Sequence, residues 1–429
     1  MMSQTRTPGW RRLDNAAKIF PPTSNKQDTK VFRFACRLKE DIEPELLQEA
    51  LEKTMKSFPL YASIIKKGLF WYYFENSRLK PRVEEERKSP CSVLYHEDRK
   101  NLLFQVSYYK KRINLEIYHA LTDGVGALQF LKSLVCHYLV LRHPEVFHNQ
   151  MPEIDYDASN AEKEADGFKA HYSKGKSGKN PSLGRAYKIK GEKLDNEVLK
   201  VINGVVSVKA VLETARQYQT TLTVYLAALL IASIGKEMAI KDRKRPVVIS
   251  VPVNLRPYFK SASARNFFSV VNVPYYFGEK EPDLEEIIMY LKDFFEKEIT
   301  TEKFQLRLNR LVALEHNYVT RAIPLVLKKP TLRIAHHLTT NEVTSSFSNI
   351  GKITMPKVVE EYIDAFDVYV STTKVQICLC SYGDKLSISF TSPFVNSQVE
   401  KHFFRALSRK GMTVELSTNM GDHMNDISG

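Results

Sequence analysis

The chain has 429 residues, of which 43% are hydrophobic and 26% are charged, so it can build packed cores and is not an intrinsically disordered sequence. Its length exceeds that of one ordinary domain and predicts two domains, or a two-part fold with roughly 200 residues per half. The net charge of +14 predicts an anionic partner. However, the sequence has no zinc-finger spacing, RNA-binding box or basic heptad helix, which disfavours nucleic acid.

The beginning of the chain lacks the apolar stretch of a secretory signal, because arginines interrupt residues 1–21. The longest apolar run, Val224–Ile234, is shorter than the roughly 20 residues that cross a bilayer and predicts a buried helix. The five cysteines are scattered and odd in number, which argues against a disulfide framework. Cys378 and Cys380 share a strand face, but nothing nearby completes a metal-binding set. We expect a cytoplasmic protein without a transmembrane segment or a metal site.

The first half contains segments in which apolar residues alternate, as in strands, and segments in which they recur with the period of a helix. Alternating apolar residues predict strands over 32–38, 69–74 and 102–109, and a helix begins at Pro44 and carries apolar residues to Met55. This mixture indicates an α and β architecture.

A strand-to-helix corner follows and is the most informative feature of the chain. Between Arg112 and His119 the residues alternate, so that His119 continues an apolar strand face. After Gly124 the period changes to that of a helix. A neutral, partly desolvated histidine at such a corner titrates near physiological pH and is suited to act as a general base.

Asp123 and Gly124 complete this corner. Asp123 could contact His119, but at a helix start it is better suited to accept from backbone N–H groups or to hold a cation from elsewhere in the chain. Gly124 permits a tight turn and a close approach of another backbone. Taken alone, the spacing His-x-x-x-Asp-Gly is only moderately specific, and the alternative is a core histidine beside a helix cap.

The middle and second half complete the predicted organisation. Residues 159–185 are rich in Gly, Ser and Lys and predict a flexible linker or loop between an N-terminal half, 1–158, and a C-terminal half, 186–429. The second half again contains both strand-like and helix-like spacings of apolar residues. Its predicted helices cover 207–218, 223–239, 284–298 and 397–409, and its strands cover 247–253, 267–276, 375–381 and 386–390. We therefore expect two layered α/β halves with a ligand site in the cleft between them.

Several polar residues of the second half stand at predicted strand ends. Arg256, in the sequence Asn254-Leu-Arg-Pro, is a natural partner for Asp123. Asn266 follows shortly after, and Ser348-Asn349-Ile-Gly351 forms a small-polar strand end with a glycine turn. Taken alone, Arg256 could equally be a solvated surface arginine, and the other segments could equally be ordinary loops.

Together these residues resemble a known family, the acyltransferases related to chloramphenicol acetyltransferase. The family includes alcohol acetyltransferases, wax ester synthases, plant BAHD acyltransferases and condensation domains. The resemblance covers nearly the whole chain and depends on the corner motif from His119 to Gly124 and on Asn254, Arg256, Asn266, Ser348, Asn349 and Gly351, in the family's order. The opening Arg12-Leu-Asp-Asn-Ala-Ala-Lys-Ile-Phe-Pro and the run Gly68-Leu-Phe-Trp-Tyr-Tyr look most like bacterial alcohol acetyltransferase-like proteins.

The resemblance implies two acetyltransferase-like halves around a central tunnel, with His119 as the base that takes a proton from an alcohol or amine attacking a thioester. It implies structural roles for Asp123, Gly124 and Arg256, and positions along the tunnel for Asn254, Asn266, Ser348, Asn349 and Gly351. The donor would be acyl-CoA as a co-substrate, with no bound cofactor, and the acyl group would be acetyl. The acceptor would be a small alcohol or amine. The alternatives are condensation-type transfer from an acyl carrier protein and a non-catalytic binding module on the same fold.

Some features depart from the family pattern or only imitate a functional motif. Tyr118 stands where many relatives have a first histidine, and the plant-type Asp-Phe-Gly-Trp-Gly motif is absent, which argues against the BAHD branch. His336-His337 lacks the Asp-Gly that should follow, and the run from Gly175 fits a phosphate loop only loosely. Neither is expected to be functional.

Overall fold

The computed structural model describes residues 9–154, 159–173, 184–316 and 322–421. The strands of these residues are β1 Trp10–Arg12, β2 Val31–Leu38, β3 Ser63–Lys67, β4 Tyr72–Asn76, β5 Val83–Glu85, β6 Phe104–Tyr109, β7 Arg112–Tyr118, β8 Lys200–Ser207, β9 Val247–Asn254, β10 Phe268–Tyr275, β11 Ser345–Lys352, β12 Ile363–Val370, β13 Gln376–Tyr382, β14 Lys385–Ser392 and β15 Glu415–Thr418. The helices of eight or more residues are α1 Pro44–Met55, α2 Gly124–Arg142, α3 Val208–Gln217, α4 Leu222–Lys236, α5 Leu284–Glu298, α6 Thr301–His316, α7 Leu325–Asn341 and α8 Gln398–Arg409.

The first half is built on a five-stranded sheet with the order β12-β2-β7-β6-β5. Strands β2 and β7 are its centre, and both are buried on their two faces. Strand β12 comes from far along the chain, yet it pairs antiparallel with β2 from Ile363↔Leu38 to Val370↔Phe32. The second half therefore supplies an edge strand to the sheet of the first.

The second half is built on a seven-stranded sheet with the order β10-β9-β11-β13-β14-β8-β15. Strand β11 runs parallel to both of its neighbours, β9 and β13, and the other pairs are antiparallel. A separate three-stranded sheet, β1-β4-β3, contains the N-terminal strand. The mixed α/β architecture in two layered halves that the sequence predicted is confirmed.

Each half has its own apolar core among the described residues. One core joins α1 and α2 to the five-stranded sheet, and the other joins α3, α4, α5 and α8 to the seven-stranded sheet. Helix α4 is apolar on all sides and is buried from Val224 to Gly235, as expected of a helix enclosed by neighbours. The prediction of a buried helix here is confirmed.

Helix α2 satisfies the length and hydropathy of a membrane span, but 72% of its 18-residue window is buried inside the fold. That burial is the behaviour of a core helix, because the same residues cannot also face lipid. The bent pair α3 and α4 passes the same test only if the two helices are taken as one span broken by 82°.

Two sequence predictions need correction or comment. The strand predicted over 69–74 is wrong in its first part, because Gly68 N–H donates to the Trp71 carbonyl at 3.0 Å and closes a turn between β3 and β4. The predicted linker contains two short helices, Asn160–Glu164 and Gly167–Ala170. Residues 174–183, which include the glycine-lysine run from Gly175, lie outside the described part of the chain.

Candidate active site

The corner is formed where β7 ends at Tyr118 and α2 begins at Gly124. The ring of Tyr118 lies on the opposite strand face from His119 and is fully buried. It stacks on Tyr95 with ring centroids 4.9 Å apart, and its hydroxyl is 2.8 Å from the Ser24 hydroxyl. The position at which the sequence departs from the double histidine therefore belongs to the core packing.

His119 lies among three phenylalanine rings. Its imidazole stacks on Phe20 at 4.7 Å between centroids, and Phe32 and Phe268 are at 5.0 and 5.6 Å. Burial lowers the pKa of His119 below its ordinary value near 6.5, and this effect outweighs the opposite influence of the Asp123 carboxylate. The imidazole is therefore neutral at pH 7.

Asn266 fixes the tautomer of this imidazole. The Nδ1 atom of His119 is 3.0 Å from Oδ1 of Asn266, an amide oxygen that only accepts hydrogen bonds. Nδ1 must therefore carry the proton of the neutral ring, and the lone pair on Nε2 is available to accept another. The sequence had placed Asn266 in the tunnel, and the structure places it against the candidate base.

Asp14 holds Asn266 in turn and was missed as a site residue. Nδ2 of Asn266 donates to Oδ2 of Asp14 at 3.3 Å, which orients the amide with its oxygen toward His119. Asp14 is fully buried, accepts from Ala17 N–H at 2.7 Å and lies 3.5 Å from Nε of Arg265. Burial raises its pKa to about 6. No local pattern could reveal this contact, because 252 residues separate the partners.

Asp123 is fully engaged as a structural anchor. Its Oδ1 caps α2 by accepting from the N–H groups of Val125 and Gly126 at 3.1 and 3.2 Å. Its Oδ2 accepts from Phe267 N–H at 2.9 Å. The guanidinium of Arg256 donates to both oxygens, at 2.9 and 3.1 Å. The ion pair that the sequence predicted is thus present, and it ties the N-terminus of α2 to the second half.

Arg256 has further acceptors around its guanidinium. Nε donates to the Ser263 carbonyl at 2.9 Å, and Nη2 donates to the Arg265 carbonyl at 2.7 Å. Asn254 contributes its Oδ1, which accepts from Nη1 and from the backbone N–H of Arg256, both at 3.1 Å. Asn254 therefore orients the arginine, and its tunnel position stays a prediction.

Two glycines let the second half approach the helix start. A Cβ on Gly124 would lie 3.1 Å from Cδ1 of Ile350, a tight contact. A Cβ on Gly126 would lie 2.1 Å from the Ala264 carbonyl oxygen, which no side chain could tolerate. The close approach of another backbone that was predicted for Gly124 is found instead at Gly126, a position that the sequence analysis did not single out, whereas the neighbour of Gly124 is a side chain.

Strand β11 brings the remaining predicted residues beside the corner. Asn349 bonds to Thr223 at the start of α4 at 2.9 Å and accepts from Gly351 N–H at 2.9 Å. Gly351 has a φ of +85°, which favours glycine. Ser348 pairs with Cys378 in the neighbouring strand and is partly buried. These contacts shape the end of β11, and a role in substrate binding stays a prediction.

The double histidine lies on helix α7. Nε2 of His336 is 3.2 Å from Nζ of Lys30, and burial lowers the pKa of His336. Within the described ranges, no group of three His, Cys, Asp or Glu side chains could hold a metal ion.

Two cavities border the N-terminal segment that carries Phe20. One has a volume of about 660 Å³ and is lined mostly by polar residues, among them Lys88, Lys193 and Arg333. The other, which we call the aromatic cavity, has a volume of about 850 Å³ and a mostly apolar lining that includes five aromatic residues. Pro21 lines the first cavity and Lys18 lines the second, so the two cavities border the chain on either side of Phe20, whose ring stacks on His119. Phe20 and His119 themselves are not among the lining residues of either cavity.

The chain matches no protein-family model and no curated protein sequence. Solved structures are similar along nearly its whole length. TRI101 of F. graminearum, complexed with coenzyme A and T-2 mycotoxin, gives a TM-score of 0.62 at 10% identity, covering 95% of this chain and 99% of that one. The TRI3 trichothecene 15-O-acetyltransferase of Fusarium sporotrichioides gives 0.60 at 12% identity, with 95% and 96% covered. The first condensation domain of the CDA synthetase gives 0.60 at 11% identity, with 94% and 97% covered.

At these identities the similarity concerns the fold, which by itself does not fix a function. The neighbours nevertheless agree with each other in pointing to one architecture, which is the fold that the resemblance implied. The chain therefore has the two-part, chloramphenicol acetyltransferase-like fold that acetyltransferases and condensation domains share.

Proposed function

We propose that this protein transfers an acyl group, in particular acetyl, from a coenzyme A thioester to the hydroxyl of an alcohol, with His119 as the general base. The observation that carries the proposal is a neutral imidazole whose Nδ1 proton is held by Asn266 at 3.0 Å, leaving Nε2 free to accept a proton. A base of this kind contributes roughly 10²–10⁴-fold to a rate.

In the proposed reaction, Nε2 of His119 takes the proton of the hydroxyl as its oxygen attacks the thioester carbonyl. The C–O bond forms, the C–S bond breaks, and the imidazolium returns its proton to the departing thiolate. The products are an ester and a free thiol. Backbone N–H or hydroxyl groups near the carbonyl would stabilise the oxyanion, as in other acyl transfers.

The polar cavity supports coenzyme A as the donor. Four basic residues, Lys26, Lys88, Lys193 and Arg333, line it beside three acidic ones, Glu97, Asp195 and Glu197, so the lining keeps a small positive excess. Its lysines and arginine can donate to the phosphates of that molecule. The net charge of +14 adds attraction at longer range. TRI101, which shares the fold, was crystallised with coenzyme A.

The test is thiol release from acetyl-CoA and longer acyl-CoA donors, measured against a panel of alcohols and amines. We expect release that depends on an alcohol and falls by at least about 10²-fold in His119→Ala. His402→Ala is the matched control, because this histidine pairs with Glu237 on the surface of the second half. Equal turnover by wild type and His119→Ala would refute the assignment of the base.

The principal alternative is transfer from a carrier protein, because the neighbours include a condensation domain of a synthetase. Parallel assays with acyl-CoA and with the same acyl group on a carrier phosphopantetheine separate the two donors. Turnover with the carrier alone would replace coenzyme A in the proposal. Absence of turnover with every donor would favour a non-catalytic module on this fold.

A further inference from the structure

The aromatic cavity is formed where the N-terminal strand faces the turn after β3. Its volume of about 850 Å³ falls within the range of pockets for small organic ligands. The residues that line it are Gly9, Trp10, Arg12, Leu13, Lys18, Phe70, Trp71, Tyr72, Tyr73, Glu75 and Glu315. Both tryptophans of the chain are among them.

The aromatic rings are held in place by neighbouring charges and by the backbone. Nζ of Lys328 lies 4.1 Å above the ring of Trp71, and Nζ of Lys18 lies 5.3 Å from it. Lys328 also donates to the Phe70 carbonyl at 3.1 Å. Trp10 packs edge-on against Tyr73 with centroids 6.4 Å apart. The cavity is therefore a built feature whose walls are fixed from both halves of the chain.

The charges that line the cavity balance each other. Arg12 and Lys18 are positive, Glu75 and Glu315 are negative, and Lys18 forms an ion pair with Glu315. A charged ligand would gain no net attraction from these four lining residues and would lose its hydration beside aromatic rings. The lining favours an uncharged molecule with a large apolar surface.

The wall of this cavity is continuous with the support of His119. Leu13 lines the cavity, and the next residue, Asp14, holds the amide of Asn266. Lys18 also lines the cavity, two residues before Phe20, whose ring stacks on the imidazole. A ligand in the cavity would therefore lie against the segment that positions the candidate base.

We infer that the aromatic cavity binds the apolar body of an uncharged alcohol, the acceptor of the acyl group. This inference rests on the proposed function, in which the charged donor occupies the polar cavity with Lys88, Lys193 and Arg333. The aromatic cavity selects the acceptor by its apolar surface and by the absence of charge.

Intrinsic fluorescence tests the binding without any turnover, because both tryptophans line the cavity. The probes are 4-phenyl-1-butanol and 4-phenylbutyrate, which share a ring and a chain but differ in charge. We expect a saturable change of emission with the alcohol, and at least tenfold weaker binding of the carboxylate. In Trp71→Phe that change should become smaller, and the remaining change should come from Trp10. No saturable change with the alcohol, or equal binding of both probes, would overturn the inference.

Steady-state kinetics test the role of the cavity in catalysis. Phe70→Ala changes a ring that is 43% exposed, so the fold should tolerate it. We expect at least a fivefold higher KM for the alcohol and a KM for acyl-CoA within twofold of wild type. Tyr276→Ala, which removes a ring 59% exposed elsewhere, is the control and should change neither value.

The two tests separate this inference from the proposed function. A raised KM for acyl-CoA with an unchanged KM for the alcohol would overturn the acceptor assignment while leaving acyl transfer intact. Saturable binding of the alcohol without thiol release from any donor would contradict the proposed function while retaining the cavity as a binding site.

Discussion

His119 and Asp123 stand four residues apart at one corner, yet their surroundings are opposite. Within the described part of the chain the imidazole hydrogen-bonds to the side chain of Asn266, and three aromatic rings pack around it. Both oxygens of Asp123 are occupied, by three backbone N–H groups and by the guanidinium of Arg256. The imidazole keeps an unused nitrogen, whereas the carboxylate has no capacity left for a substrate.

The difference shows that the two residues of this short motif have separate roles, one structural and one chemical. The carboxylate fixes the start of α2 and connects it to the second half, which makes it part of the framework. The histidine is positioned by that framework and stays chemically available. Substitutions around Asp123 should therefore lower the free energy of unfolding more than those around His119 do. Substitutions around His119 should mainly change activity.

The largest expected effect is on the carboxylate side, in Arg256→Ala. This variant leaves the buried Asp123 without its counter-charge, and breaking a buried pair from one side costs ~3–5 kcal/mol of unfolding free energy. Urea denaturation followed by circular dichroism measures the loss. His119→Ala serves as the contrast and should unfold with a midpoint close to that of wild type. An Arg256→Ala protein that keeps full stability and activity would contradict the division of roles.

A smaller effect is expected on the imidazole side, in Asn266→Asp. A carboxylate about 3 Å from Nδ1 favours the imidazolium and raises the pKa of His119, which burial lowers in the wild type. The base works only when deprotonated, so activity is lost as pH falls through this pKa. The acidic limb of kcat/KM should therefore lie below pH 6.5 in the wild type and move to higher pH in the variant.

Asn266→Leu is the control for this pH shift. It removes the acceptor for the Nδ1 proton without adding a charge, so the rate should fall while the acidic limb does not move upward. Equal pH profiles for Asn266→Asp and the wild type would show that Asn266 does not position the base.

The smallest effect is expected in Asp14→Asn, which changes the support behind Asn266. Rate at pH 8 should fall about fivefold, the equivalent of one net hydrogen bond of ~1 kcal/mol. The difference should shrink near pH 5, because the pKa of Asp14 is raised to about 6 and the wild-type carboxyl is then protonated as well.

Stability separates a positioning role of Asp14 from a structural one. Since burial raises its pKa in the folded protein, the folded state holds the proton more tightly than the unfolded chain does. The stability linked to this group is thus present at low pH and lost as pH rises through about 6. At pH 8 the neutral Asp14→Asn variant avoids the cost of a buried charge but leaves Arg265 without the carboxylate 3.5 Å from its Nε, so we expect its melting temperature to stay close to that of wild type. A clearly lower melting temperature of Asp14→Asn at pH 8 would show that Asp14 has a structural role.

Much of the fold followed from local patterns, and the exceptions have identifiable causes. Helix α7 was not predicted because it contains Pro330 and exposes Leu327, Ile334 and Leu338, so both the proline rule and the amphipathic pattern argue against a helix. Strand β11 was recognised only at its end, because its small polar residues lack the usual alternation.

The candidate site was predicted unevenly for a similar reason. His119, Asp123 and Gly124 form a local motif, the position of Arg256 at a strand end indicated it as the partner of Asp123, and the resemblance to a family assigned Asn266 to the tunnel. Asp14 was part of a recognised opening but received no role, since nothing in its neighbourhood indicates a contact with a residue 252 positions away. Gly126 was also missed, although the carbonyl of Ala264 makes glycine more strictly necessary there than at Gly124.

The sequence by itself determined the corner, the general class of fold and the identity of the candidate base, because periodicity and motif spacing are local properties of the chain. Only the tertiary structure decided which nitrogen of His119 is free to accept a proton and which donors occupy the two oxygens of Asp123. It also decided that β12 completes the first sheet. It also gathered both tryptophans in one cavity. These features depend on contacts between distant segments, whose energies arise only when packing brings the segments together.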